Sequence, residues 1–150
     1  MIALHLPKFN IKLKTEADKT FVFDPIRKKY IILTPEEWVR QHFVNYLITE
    51  KGYPQGLIAN EMSIKLNGTS KRCDTVIYNK KLQPEVIIEY KASTVSITQM
   101  VFEQIVRYNM VLHVKYLIVS NGIKHFCCSI DYETQTFNYL SEIPNYQELK

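Results

Sequence analysis

Two acidic residues and a lysine lie in neighbouring segments whose composition is typical of β-strands. Asp74 begins the first segment, and Glu89 and Lys91 lie at the end of the second. The polar stretch between them ends in proline, which predicts a turn and therefore an antiparallel hairpin. If residues 80–83 form the loop, Asp74 lies opposite Glu89, and directly opposed side chains share one face of a hairpin.

Two carboxylates and a lysine on one face could form a hydrolytic metal site. Opposed carboxylates repel each other, and a hard divalent cation with oxygen ligands, Mg²⁺ or Mn²⁺, would neutralise them. Lys91 follows Glu89 by two residues and so lies on the same face, about 6.5 Å along the strand. There it could orient the attacking water, help to deprotonate it or stabilise charge on a phosphate. We therefore expect Asp74 and Glu89 to bind the metal and Lys91 to act beside it.

Glu61 is a further candidate ligand, from the preceding strand. Residues 57–66 have a strand pattern, and if residues 67–70 form the next loop, Glu61 pairs with Val76. It would then share the face of Asp74 as a diagonal neighbour. The alternative is that Glu61 is an ordinary surface residue of its strand.

The acid-x-Lys triplet is a weak indication by itself, because an ordinary composition produces it about once or twice in a chain of this size. A second copy, Glu148-Leu149-Lys150, closes the sequence. The alternative for the first copy is the solvated face of a surface strand. The choice between a metal site and a surface strand therefore depends on the elements on either side of the hairpin.

The composition indicates one domain with one core. The chain has 150 residues, of which 46% are hydrophobic and 12% aromatic, and no repeat or linker divides it. We predict a single domain, with an extension and a hairpin over residues 1–33 and the core over 34–140. No segment has the apolar length of a membrane span or of a signal peptide, so we expect a cytoplasmic protein without membrane contact.

The charge is unevenly distributed along the chain. The formal net charge is +4, and residues 1–30 contain seven Lys or Arg and three acids, whereas the other 120 residues contain twelve of each. A basic N-terminal segment beside an acidic site could attract a nucleic-acid backbone, although an ordinary solvated hairpin explains it equally well. The three cysteines have no metal-binding spacing, so we expect free buried thiols.

The predicted elements follow one another as in an α/β sandwich. The first helix has Thr34 as its N-cap, Pro35 at its first position and Glu37 completing a capping box. In the second helix Ile97, Val101, Ile105 and Tyr108 recur at helical spacing. The predicted order is a hairpin around 24–27, a helix over 35–51, strands over 57–66, 74–78 and 86–91, a helix over 97–112, and strands over 115–120, 123–130 and 136–140.

This order, with Asp74 on the second core strand and Glu89-Tyr90-Lys91 on the third, resembles the PD-(D/E)XK nuclease superfamily. The resemblance is closest to the N-terminal nuclease domain of type I restriction enzyme R subunits and its stand-alone relatives, and covers about residues 21–130. It implies a restriction-endonuclease-like α-β-β-β-α-β core with a mixed central sheet flanked by helices, preceded by an N-terminal hairpin. The matching motifs are Phe23–Tyr30, Leu33–Gln41, Lys71–Asp74 and Ser120–Gly122.

The resemblance implies a role for each residue of the hairpin site. Asp74 and Glu89 match the metal-binding carboxylates, Lys91 matches the catalytic lysine, and the Tyr90 carbonyl could complete the metal ligands. Cys73 replaces the proline that gives the superfamily its name, a departure common among its members. Acids at the start of the first helix, Glu36 or Glu37, reach the metal in some of these nucleases, although a capping box already explains Glu37.

The second helix and one further arginine supply candidates for nucleic-acid contact. Gln104 and Tyr108 match the Gln-x-x-x-Tyr motif of this nuclease branch, whose residues lie near the active centre and contact DNA or support the site. Arg107 stands beside them as a phosphate ligand, and Arg72 precedes Asp74. The alternative for the helix is ordinary packing, with Tyr108 in the core and Gln104 at its edge.

The resemblance implies hydrolysis of nucleic-acid phosphodiester bonds, in DNA, with Mg²⁺ or Mn²⁺ and no other cofactor. Cleavage of both strands needs two sites, so we expect a homodimer or a larger restriction or defence complex. R subunits continue into a helicase motor, for which this chain has no room, so we expect no DNA translocation by it. The alternative is a catalytically silent DNA-binding or partner-docking module that retains the fold.

Overall fold

The computed structural model describes residues 2–149, and these form two sheets, two α-helices and short 3₁₀ turns. Met1 and Lys150 lie outside the described residues, so the second acid-x-Lys triplet is described only in part. The N-terminal sheet is antiparallel and consists of β1 (Leu13–Glu16), β2 (Lys19–Asp24) and β3 (Lys29–Ile32). The predicted hairpin is thus confirmed, and β1 adds an edge strand that the sequence pattern did not indicate.

The central sheet is mixed, as predicted. Its strands follow the order β4-β5-β6-β7-β8-β9, and only β6 and β7 are parallel within this sheet. The strands are β4 (Ile58–Leu66), β5 (Thr69–Tyr78), β6 (Pro84–Tyr90), β7 (Tyr116–Ser120), β8 (His125–Asp131) and β9 (Thr136–Leu140), and the 3₁₀ turns are Gln55–Leu57, Met110–Leu112 and Tyr146–Glu148.

The first helix, α1 (Pro35–Glu50), begins where the sequence predicts. The Glu37 N–H donates to Thr34 Oγ1 at 3.0 Å, and Pro35 occupies the first turn. The second half of the predicted capping box is wrong, because the Glu37 carboxylate accepts hydrogen bonds from Arg40 and from two further side chains instead of closing onto Thr34. The cap therefore rests on the threonine hydroxyl alone.

The second helix, α2 (Gln99–Asn109), buries a different stripe from the predicted one. Phe102, Val106 and Asn109 face the sheet at i, i+4 and i+7, whereas Tyr108 is 66% exposed. The predicted stripe lies one residue, or about 100° of helix rotation, away from the buried one. The exposure of Tyr108 also excludes its packing in the core.

The two helices cover opposite faces of the central sheet. Val39 and Phe43 of α1 pack in one cluster with Ile88 of β6, whereas Phe102 of α2 packs in a second cluster with Ile87. Consecutive strand residues point to opposite faces, so Ile87 and Ile88 divide the core into two layers. Both layers are needed to hold β5 and β6, the strands of the predicted site, in the middle of the sheet.

Two further expectations concern composition. All three cysteines are buried and free, as predicted. Among residues 2–149, no helix combines the length and the apolar content that a membrane crossing requires.

Candidate active site

A cavity of about 620 Å³ opens between the N-terminal sheet, α1, the middle of β4 and β5, and the C-terminal end of β6. It brings together the residues that the hairpin pattern selected, namely Asp74, Glu89, Tyr90 and Lys91, and also Glu61. The side chains that share this cavity from the other elements are Arg27, Ile31, Ile32, Thr34, Glu36, Glu37 and Arg40.

The register of β5 and β6 places the two carboxylates as the sequence predicts. Thr75 pairs with Ile88, and continuing this register by one residue brings Asp74 level with Glu89. The predicted turn is wrong, because Tyr78 rather than Asn79 pairs with Pro84. A bulge next to Tyr78 absorbs the difference of one residue before it reaches the site.

Asp74 is fixed through both its main chain and its side chain. The Tyr90 N–H donates to Asp74 Oδ2 at 2.9 Å, so the carboxylate takes a hydrogen bond at the point where the strand ladder ends. Arg40 Nη1 donates to the Asp74 carbonyl oxygen at 2.7 Å. These two contacts orient the Asp74 carboxylate next to the Tyr90 peptide.

The Asp74 carboxyl has a pKa above its ordinary value. Burial is the largest cause, and the nearby charges of Glu89 and Glu61 act in the same direction. The Tyr90 N–H and the Arg40 charge lower the pKa but do not compensate. Like charges and burial both penalise the ionised form, so a bound cation would relieve an unfavourable charge at this position.

Lys91 stands beside Glu89. Its Nζ lies 3.2 Å from Glu89 Oε2, and both side chains are about one-third exposed, at 38% and 30%. The ammonium is therefore available at the cavity surface within hydrogen-bond distance of a candidate metal ligand. This arrangement agrees with the predicted position of the lysine on the same face.

Glu61 occupies a different position from the predicted one. The predicted loop 67–70 is wrong: Leu66 pairs with Thr69 across a two-residue turn, and Val76 pairs with Ala59 instead of Glu61. Glu61 consequently lies level with Asp74 itself. The error is two residues, which in a strand leaves the predicted face unchanged.

The Glu61 carboxylate is already bound by arginines. Arg40 Nη2 donates to its Oε1 and Arg72 Nε to its Oε2, each at 3.1 Å. Burial raises its pKa, but the two arginines outweigh burial and hold that pKa below the ordinary value. Glu61 therefore has its charge compensated, whereas Asp74 does not.

An ion-pair network in the wall of the cavity was not predicted from the sequence. Glu37 is 3% exposed and accepts from Arg27 Nη2 at 2.8 Å and from Arg40 Nη2 at 2.6 Å. Burial raises the pKa of Glu37, but Arg40, Gln41 and Arg27 outweigh burial and hold that pKa below its ordinary value. The signal was present in the motifs Phe23–Tyr30 and Leu33–Gln41, whose charged residues meet here. Both Glu36 and Glu37 line the cavity, but Glu37 is paired with arginines, whereas Glu36 is exposed.

A second buried chain of hydrogen bonds leads from the N-terminal sheet to the site. Asn60 Nδ2 donates to Asp24 Oδ2 at 3.0 Å, and Thr75 Oγ1 donates to Asn60 Oδ1 at 2.7 Å. The Tyr90 hydroxyl then donates to Thr75 Oγ1 at 2.9 Å. Because Tyr90 also donates its N–H to Asp74, this chain positions the peptide that holds the candidate metal ligand.

The three α2 candidates lie outside the cavity lining. Gln104, Arg107 and Tyr108 are exposed, and none is among the described residues that line the cavity. Lys71 of β5 connects this helix to the site strand: its Nζ lies 3.1 Å from the centroid of the Tyr108 ring and also donates to the Tyr108 carbonyl oxygen. Their contact with nucleic acid remains a prediction.

The donor set fits a hard cation. Within residues 2–149, no three His, Cys, Asp or Glu side chains are grouped closely enough to hold a metal ion by themselves. Mg²⁺, however, commonly uses one or two carboxylates and keeps several waters. Asp74 and Glu89, with the Tyr90 carbonyl as a third oxygen, meet that lower requirement.

The mixed central sheet, the flanking helices and the position of the cavity define a restriction-endonuclease-like α/β domain. Residues 35–144 match the family described as type I restriction enzyme R protein N terminus (HSDR_N), and the chain belongs to this family.

One solved structure shows the same fold. It is a fragment described as an HsdR subunit of a type I restriction enzyme from Vibrio vulnificus YJ016, matched with a TM-score of 0.53 and 22% sequence identity. The match covers 78% of this chain and 24% of that one, so the present chain spans about a quarter of the length of its relative. No curated protein matches the chain significantly.

Proposed function

We propose that this domain is a Mg²⁺-dependent endonuclease that hydrolyses phosphodiester bonds in DNA. The observation that carries the proposal is the convergence of Asp74, Glu89 and Lys91 on one open cavity, with the lysine ammonium 3.2 Å from the glutamate. Membership of the R-subunit N-terminal family supports the same activity.

In this proposal Asp74, Glu89 and the Tyr90 carbonyl hold Mg²⁺, or Mn²⁺ in its place. The bound ion supplies Lewis-acid polarisation of the phosphate and favours deprotonation of the attacking water. Lys91 orients the water and balances charge on the phosphate. The Tyr90 N–H would hold the Asp74 carboxylate in place beside the Tyr90 peptide.

Basic and polar residues outside the cavity lining are proposed to hold the DNA backbone. Arg72 is 67% exposed on its side-chain surface, although one nitrogen is paired with Glu61. Gln104, Arg107 and Tyr108 project from the exposed side of α2. Phosphate contacts of this kind fix the position of the duplex without reading its sequence.

The central experiment compares plasmid nicking by the wild type and Lys91→Ala in Mg²⁺. We expect Lys91→Ala to lose activity by on the order of a hundredfold to ten-thousandfold, because general acid–base catalysis and the stabilisation of charge on the phosphate are removed. Lys81→Ala, in the turn at the opposite end of the β5–β6 hairpin, is the matched control and should cleave normally. Equal nicking by wild type and Lys91→Ala, both with native circular dichroism, would sink the proposal.

The second candidate function is a catalytically silent DNA-binding or partner-docking module. One observation favours it: Lys91 already pairs with Glu89, and Glu61 is bound by two arginines, so part of the acidic cluster is compensated from within the chain. A silent module would bind DNA in a salt-sensitive way. In Mg²⁺ the wild type would then cleave DNA no more than Asp74→Ala does.

The proposed setting is a restriction or defence complex in the cytoplasm. One site cuts one strand, so cleavage of a duplex would require a homodimer or a larger complex that brings two sites together. Sedimentation of the wild type with and without duplex DNA would determine whether the domain pairs by itself.

A further inference from the structure

The N-terminal sheet has an outer face that carries aromatic side chains. The strand register places Lys14 opposite Phe21 and Phe21 opposite Ile32, and it places Phe23 opposite Tyr30. Because opposed residues share a face and alternate residues return to it, these five side chains lie on one side of the sheet.

This outer face is open to solvent, whereas the other face is buried at Val22 and Asp24 of β2. Tyr30 is 39% exposed and Ile32 49%, while Val22 and Asp24, which alternate with the aromatic residues of β2, are fully buried. Phe21 and Phe23 are both half-buried. The rings therefore form a surface of the protein and are not an extension of its core.

Lysines lie next to these rings. Lys14 Nζ is 4.4 Å from the Tyr30 ring centroid and 5.8 Å from that of Phe21, and Lys12 Nζ is 5.6 Å from the Phe23 centroid. Phe23 and Tyr30 contact each other edge to face, with centroids 5.3 Å apart. Cations interleaved with aromatic rings supply both charge for phosphates and flat surfaces for bases.

We infer that this aromatic platform, formed by Lys12, Lys14, Phe21, Phe23, Tyr30 and Ile32, binds single-stranded DNA. The excess of basic residues in the first 30 residues complements the charge of a polynucleotide. Base faces are accessible for stacking only when they are not already stacked in a duplex, so exposed rings favour a single strand.

The platform continues into the candidate active site. Ile32 belongs to its outer face and also lines the cavity that contains Asp74 and Lys91. A strand held on the rings would thus extend towards the proposed cleavage centre. This inference rests on the proposed function for its role, because it supplies the substrate strand to that same site.

The test measures binding without cleavage, by fluorescence anisotropy of a labelled 20-mer of deoxythymidine in EDTA. Tyr30→Ala should weaken binding by roughly tenfold or more, as expected for the loss of one base-stacking ring. Lys14→Gln should make the salt dependence shallower by about 0.7 per lost phosphate contact on a log–log plot. Matched controls are Tyr139→Ala, an exposed strand tyrosine of the central sheet, and Lys81→Gln.

Failure of the platform and failure of the nuclease proposal give different results. Unchanged affinity in Tyr30→Ala and Lys14→Gln, or tighter binding of a 20-base-pair duplex than of the single strand, would overturn the platform even if the plasmid is nicked. Loss of affinity in both variants but not in the controls would support it even if no cleavage is found.

Discussion

Two carboxylates in the same cavity have opposite environments. Burial and the charges of Glu89 and Glu61 raise the pKa of Asp74. Arg72 and Arg40 instead hold the pKa of Glu61 below its ordinary value. Environments that push the pKa values of neighbouring acids apart usually divide their roles. Under the proposed function, Asp74 would bind the metal, whereas Glu61 is held in an ion pair with Arg40 and Arg72 and is the weaker ligand candidate.

Asp74→Asn should stabilise the protein and remove its proposed activity. The native carboxyl binds its proton more tightly than the unfolded one, so its contribution favours folding below about pH 3.8 and is lost as the pH rises through the native pKa. At pH 7 in EDTA the neutral amide should therefore raise the free energy of unfolding, by roughly 0.5–2 kcal/mol. Urea unfolding at pH 7 and pH 3 measures the difference, which should shrink at pH 3.

Glu133→Gln, an exposed acid in the turn between β8 and β9, is the control for loss of one negative charge. It should leave the free energy of unfolding within about 0.5 kcal/mol of wild type. Adding Mg²⁺ should raise the melting temperature of the wild type but not of Asp74→Asn, because only a native metal site gains from binding. A lower stability of Asp74→Asn at pH 7 would contradict this account.

At the scale of elements, the sequence predicted the strands better than their registers. The Asn67-Gly68 turn is shorter than predicted, because both residues adopt positive φ, of 49° and 79°, and close a two-residue hairpin. Asn-Gly is itself typical of a two-residue turn, so this error was avoidable, whereas the bulge beside Tyr78 left no sequence signal. A register error of two residues, or a bulge that offsets an error of one, leaves each side chain on its predicted face. The predicted face of the site residues is therefore correct although both turns were mispredicted.

The buried face of α2 was mispredicted for a related reason. Both candidate stripes contain apolar residues, and the sheet selects the one with Phe102 and Val106. Periodicity alone cannot distinguish stripes that differ by one residue when each contains large side chains. The Gln104 and Tyr108 motif consequently lies on the exposed side, where a nucleic-acid role remains a prediction.

The predicted turn at Asn121-Gly122 is present between β7 and β8, but it is longer than predicted, because Ser120 pairs with His125 and residues 121–124 form the connection. This turn yields a test at the same scale. Gly122 has φ 84°, and a Cβ there would lie 2.7 Å from Leu4 Cδ2. Gly122→Ala should therefore cost roughly 1–3 kcal/mol of stability in urea unfolding, since the backbone is strained and Leu4 must move. Gly56→Ala, with no atom within 4 Å of its added Cβ, should be neutral or slightly stabilising. Equal effects of the two substitutions would refute the explanation.

At the scale of the whole molecule, buried polar groups join the two sheets. Asp24, at the end of β2, is fully buried and accepts from Arg27 Nε at 2.5 Å and from Asn60 Nδ2 at 3.0 Å. Arg27 also donates to Glu37 of α1. The sequence contains each of these residues within recognisable motifs, but their meeting depends on tertiary packing between segments 10 to 36 residues apart.

This network makes stability depend on pH in the acid range. Burial raises the pKa of Asp24, but hydrogen bonds from Arg27, Asn60 and the Ile26 N–H outweigh it, and the pKa lies below the ordinary 3.8. The pKa of Glu37 is likewise lowered from its ordinary 4.5. A lowered native pKa means that the stabilisation is present above these ordinary values and is lost as the pH falls through the native pKa.

Arg27→Met tests the network because it leaves two buried carboxylates without their shared cation. We expect it to cost roughly 3–5 kcal/mol at pH 7, the usual effect of breaking a buried ion pair from one side. Its melting temperature should also fall less steeply than that of wild type between pH 5 and pH 3, since Asp24 loses the arginine that lowers its pKa, although Glu37 keeps Arg40. Lys29→Met, an exposed cation on the adjacent strand, should keep both the stability and the wild-type pH profile. Parallel pH profiles for Arg27→Met and wild type would show that the two sheets are joined by packing rather than by these charges.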